Sequence, residues 1–118
     1  MKPKAPTPII AIHALASIGV LYWILQIFQA LTTGESSLGT GLVLTIALAF
    51  VLGGAHVLTY IWSAQGSRRV YAAIWLIVIG DSLLTLFVDS SAILLVIFTF
   101  VMLALTRPTS AREWLSRT

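Results

Sequence analysis

Four stretches of this chain, 9–31, 38–62, 70–88 and 91–106, hold between them a single formally charged side chain, Asp81. A helix needs about 20 residues to cross the ~30 Å hydrocarbon layer of a bilayer. The first three stretches meet that length, and the fourth approaches it when Thr106 and a snorkelling Arg107 carry it into the headgroups. Only 9% of the 118 residues are charged, against about 25% in an ordinary soluble domain. With a mean hydropathy of +1.00, the expected fold is an all-α membrane protein. It is read as one integral membrane domain, 1–118, with four transmembrane helices.

Charge placement supplies an orientation. Four spans put the N-terminus, the loop after the second span and the C-terminus on one side. Lys2, Lys4, Arg68, Arg69, Arg107, Arg112 and Arg117 all fall there, while Glu35 and Asp89 fall in or beside the opposite loops. By the positive-inside rule both termini are expected in the cytoplasm, in the plasma membrane of a bacterium, as a multi-pass protein. The same basic residues are read as contacts to the lipid bilayer, not to nucleic acid. Lys2 and Lys4 before an apolar run resemble a signal peptide, but the run is too long for one, so the first span is expected to be retained. The absence of cysteine excludes disulfides and thiolate-held metal or iron–sulfur sites.

Between the spans the punctuation is clear. Pro3, Pro6 and Pro8 predict an extended leash over 1–8. "TTGESSLGTG" predicts a turn-rich loop, Gly66 a helix end, Ser67 a helix start, and "VDSS" a tight hairpin between the last two spans. In the tail, 107–118, Pro108 stops the fourth span and the S-x-x-E pattern from Ser110 to Glu113 predicts a capping box. A short interfacial helix follows, with Trp114 and Leu115 dipping into lipid and Arg112 and Arg117 facing headgroups, as an anchor.

Few polar groups lie inside the spans. An aspartate at a helix centre costs about 2.5–3.5 kcal/mol, which the surrounding Val, Ile, Leu and Phe offset at roughly 0.3–0.6 kcal/mol each. The third span therefore inserts despite Asp81, and the question is what the carboxyl does there. Asp81, Thr85 and Asp89 are spaced i, i+4, i+8 on one stripe, and Gln26 or Tyr22 of the first span is the expected hydrogen-bonding partner of Asp81 if the two spans are neighbours. His13 and His56 count to nearly equal depth from the same side. That arrangement suits either two axial ligands of a b-type haem, with Gly53 and Gly54 admitting the macrocycle, or plain helix packing. Packing is the reading adopted, with no cofactor and no metal, because Thr45, Ala49, Gly53, His56 and Tyr60 share one face of small and hydrogen-bonding residues. No nucleophile sits with a base, and no phosphate loop or H-E-x-x-H pattern is present, so catalysis is not expected.

Small multidrug transporters and fluoride channels are similar in size, but they assemble as antiparallel dimers and need weak charge bias. The bias here is strong, the first span has no glutamate, and the third lacks a Gly/Thr/Phe-rich filter. "GSRRVYAAIWL" between spans two and three and "LTRPTSAREWL" at the end resemble a broad group of small four-helix bacterial membrane proteins. That resemblance covers the C-terminal half and implies no activity. Three functions are carried forward: a non-catalytic accessory or scaffold subunit working with other integral membrane subunits, which is the leading expectation; a proton- or ion-coupled carrier acting as a homo-oligomer through Asp81; and a haem-bearing electron-transfer subunit using His13 and His56.

Overall fold

In the computed structural model, which describes residues 4–117, four antiparallel helices form a bundle and a fifth, short helix closes one end. Helix α1 runs Thr7–Thr33, with Pro8 in its first turn where a missing N–H costs nothing. It stops at Gly34, whose φ of 89° is left-handed and whose N–H returns to the Ala30 carbonyl. The described part of the leash is thus short: helix begins at Thr7, and residues 1–3 lie outside the described residues.

Helix α2 spans Leu42–Gln65 and contains one π turn, Ala49–Gly53. It starts four residues later than 38, because Leu38–Thr40 fold into a compact loop instead. There the Ser36 N–H donates to the Thr40 carbonyl at 2.8 Å, the Ser36, Thr40 and Thr45 hydroxyls form a chain at 2.6 and 2.7 Å, and Leu38 is buried beneath them. Helix α3 is Arg69–Phe87 and α4 is Ser90–Leu105, opening with a 3-10 turn. Helices α1, α2 and α3 are each long and apolar enough to cross a membrane, whereas α4 is shorter.

Neighbouring helices pack in the order α1, α2, α3, α4 and back to α1, so α1 and α3 lie on a diagonal. The core is layered. At the end holding both termini, Ile9 and Ile12 meet Val70, Ile74 and Val78 across the diagonal. A middle layer joins Ala55, Ile77 and Met102. At the other end Trp23, Leu38, Leu52, Leu84 and Ala92 pack under the 34–41 loop.

Helix α5, Thr109–Trp114, corrects the tail prediction. Ser110 lies inside this helix and makes no side-chain cap, since Pro108 already sets the turn. Ala111 and Leu115 are fully buried in the layer with Ile9 and Val70, so this face seals the bundle and does not dip into lipid. The Trp114 indole N–H donates to the Ser63 carbonyl at 2.8 Å, beside the Gly66 N–H that the same carbonyl accepts at the end of α2. The Arg117 guanidinium lies 4.3 Å over the same ring and the Arg117 backbone N–H donates to the Gly66 carbonyl, while Arg112 stays exposed. Trp114 and Arg117 are therefore held by the bundle itself, each through a bond to a carbonyl at the end of α2.

Candidate functional site

Asp81 sits on α3 between the middle and loop-end layers and is 1% exposed. Its Oδ2 lies 2.8 Å from the Thr99 hydroxyl on α4, and that hydroxyl is also 2.8 Å from the Leu95 carbonyl one turn back. A threonine hydroxyl has one proton. If it serves Leu95, the Oδ2 contact is satisfied only when the carboxyl carries a proton and donates it to Thr99. A neutral carboxylic acid completes both bonds; a carboxylate leaves one of two acceptors short. The other oxygen, Oδ1, is buried without any partner, an arrangement that costs about 1–3 kcal/mol.

Asp81 lines a cavity of about 100 Å³ together with His56, Gly19, Tyr22, Trp23 and Thr99. The His56 ring reaches this layer because Gly19 on α1 has no side chain: a Cβ there would collide with the imidazole. His56 Nδ1 is 2.7 Å from the Leu52 carbonyl, which accepts only, so Nδ1 carries the proton and Nε2 keeps its lone pair. The layer thus combines a carboxyl, an imidazole acceptor and aromatic walls. The exposed members of the lining, Ile18 and Phe98, place its opening between α1 and α4.

The remaining predicted residues fall as follows. Gln26 does not reach Asp81: its Oε1 accepts from both the Ser37 N–H, at 2.9 Å, and the Ser37 hydroxyl, at 2.7 Å, tying α1 to the loop. The diagonal placement of α1 and α3 is the reason, because Thr99 on adjacent α4 is nearer. Tyr22 lines the cavity but makes no hydrogen bond to Asp81. The Thr85 hydroxyl donates to the Asp81 backbone carbonyl, not to its carboxyl. Asp89 leaves the stripe, since α3 ends at Phe87; it accepts from the Ser91 N–H at 2.9 Å and caps α4. Those Ser91 bonds hold its carboxyl below the usual carboxylate range.

The two histidines do not face one another. His13 stacks on Tyr60 at 4.7 Å between ring centroids, and His56 fills the space over Gly19 about two turns away along α1. Six residues of α1 separate the two positions, so no single macrocycle is held between their imidazoles, and the Gly53 gap is taken by Trp23, 3.3 Å from where a Cβ would stand. Thr45, Ala49, Gly53 and His56 are buried as a packing face, but against α1 of the same chain. Tyr60 is 44% exposed and Thr59 takes the buried position. Among the described residues no three His, Asp or Glu side chains gather to hold a metal ion.

Sequence reasoning passed over Thr99 and Gly19. Both have a signal in retrospect: Thr99 is the lone hydroxyl in the middle of "IFTFVML", and Gly19 the lone glycine within α1. In comparisons with known proteins, no family model, no curated protein and no solved structure matches the chain.

Proposed function

We propose that the chain is a four-span protein of a bacterial plasma membrane, with both termini in the cytoplasm, that binds a proton or small cation at Asp81 and carries it as an oligomer. The observation behind this reading is the buried carboxyl whose Oδ1 has no partner, set beside a cavity that also holds an imidazole acceptor. Ionisable groups inside spans are rare, and substrate or ion pathways and proton relays are among the roles they mark. The small-residue face of α2 packs against α1 of the same chain and so does not argue for docking to another subunit.

The test is flux in proteoliposomes driven by an imposed pH or cation gradient. Wild type is expected to dissipate it, and Asp81→Asn, which keeps a donor toward Thr99 but cannot exchange a proton, to leave it standing. Equal flux in both, with the variant still folded, overturns the reading.

The brevity of every described segment outside the bundle favours a second reading, a non-catalytic accessory subunit of a larger membrane assembly. In it the Asp81–Thr99 pair only fixes α3 against α4. Stoichiometric co-purification with one membrane complex after gentle solubilisation, with no flux from the isolated protein, supports that alternative.

A further inference from the structure

The cavity beside Asp81 also limits what can occupy it. This step rests on the cation-binding reading above and names the ligand class. Two residues of the lining carry a free acceptor: Asp81, whose Oδ1 has no partner, and His56, whose Nδ1 proton is engaged by Leu52 and whose Nε2 therefore only accepts. A complementary occupant must donate hydrogen bonds. A bare metal cation asks instead for a shell of several oxygens, and the only oxygen-bearing side chains in the lining are Asp81, Thr99 and Tyr22. The rest of the wall includes Tyr22, Trp23 and Phe98, whose ring faces attract an ammonium group.

Size and access narrow the class. A cavity of about 150 Å³ takes up a benzene molecule, so about 100 Å³ admits a molecule of only a few heavy atoms. The opening between α1 and α4 is bordered by Leu15, Ile18, Leu95 and Phe98. An apolar mouth of that kind passes an uncharged molecule far more cheaply than a hydrated ion.

We propose that the cavity takes a small protonatable amine, ammonia or a short primary amine, which enters uncharged between α1 and α4 and is held as its ammonium form against Asp81. The step balances. The Asp81 Oδ2–H bond breaks, its proton joins the lone pair of the amine nitrogen, the Thr99 hydroxyl turns its own proton from Leu95 to Oδ2, and the product is an ammonium–carboxylate pair with no net charge. The new N–H groups then supply the donors that Oδ1 and the His56 lone pair lack. A buried pair formed in place in this way does not first carry a net charge through lipid.

The experiment is calorimetric titration of the purified protein in nanodiscs with methylammonium chloride, beside sodium, potassium and tetramethylammonium chloride at equal ionic strength. Methylammonium is expected to bind saturably, at least tenfold more weakly in Asp81→Asn, and in preference to all three other salts. Tetramethylammonium has no N–H and cannot shed a proton, so equal binding of it overturns the inference whether or not the variant folds. Sodium binding or proton flux that depends on Asp81, without methylammonium binding, overturns the inference and leaves the cation reading standing. No binding and no flux with any of them overturns both.

Discussion

Gly19 shows how much of the site depends on one missing side chain. Adding a methyl group drives into the His56 ring, which is held from the other side by its bond to Leu52. Gly19→Ala is expected to destabilise the bundle by about 1–3 kcal/mol through overpacking, read by denaturant titration in detergent. In the Gly19→Ala, His56→Ala double variant most of that loss should disappear; additive losses would show that the two residues do not meet. Asp89 offers a second check, this time through pH. Its carboxyl is held below the usual range by Ser91. Its stabilising effect is therefore complete above the unfolded value of about 3.9 and is lost as pH falls through the lower folded value. Wild type should lose stability relative to Asp89→Ala as pH drops below about 4, and the difference should be constant above about pH 5. At this scale the sequence was only partly legible. That Asp81 lies inside a span could be read by counting, but its partner could not. Gln26 and Thr99 both count to workable depths, and the choice between them depends on which helices are adjacent. The histidines were misjudged for a related reason, because α2 runs on to Gln65, three residues past the end expected at 62, which sets His56 deeper than His13.

Among the elements, the π turn at Ala49–Gly53 has the clearest consequence. A turn closed by i→i+5 bonds takes one residue more than an α turn, so the residues beyond it are set back by one. Phe50 bulges outward, 83% exposed, as part of the surplus. Deleting Phe50 should convert the turn to regular α-helix while leaving Thr45 and His56 on the same face, and the variant should keep most of its stability. Deleting Leu58, which lies in regular helix, turns Thr59 and Ser63 about 100° out of the bundle, given 3.6 residues per turn, and should abolish folding. Thermal unfolding with size-exclusion chromatography measures both, and equal damage from the two deletions would remove the proposed role of the turn. Nothing in the composition of "AFVLG" announces a π turn. Helix positions, by contrast, could be read from hydropathy and from Gly34 and Gly66, because lipid-facing surface and left-handed glycines leave direct marks in a sequence.

For the molecule as a whole, the question is whether α4 crosses. At 16 residues it extends only about 24 Å, against a hydrocarbon layer of ~30 Å. Length alone argues against it, but connectivity argues for it. The chain enters α4 at Ser90 beside the loop-end layer and leaves it at Thr106 beside α5, where Ala111 and Leu115 pack against Ile9 and Val70 and the Arg117 N–H meets the Gly66 carbonyl. If α1, α2 and α3 each cross, a segment that starts where α3 ends and finishes beside the start of α1 must cross as well. Local thinning of the bilayer, with Thr106 and Arg107 reaching the headgroups, covers the missing few ångströms at a modest cost. The native chain has no cysteine, so single Ser90→Cys and Ser110→Cys variants, both at exposed positions, report sidedness without background. In intact cells a membrane-impermeant maleimide should label Ser90→Cys and spare Ser110→Cys until the membrane is opened. Labelling of both from outside, or of neither, would put the two ends of α4 on one side and replace the four-span bundle with a three-span one. The reverse pattern would keep four spans and invert the orientation that Lys4, Arg68, Arg69, Arg107, Arg112 and Arg117 predict.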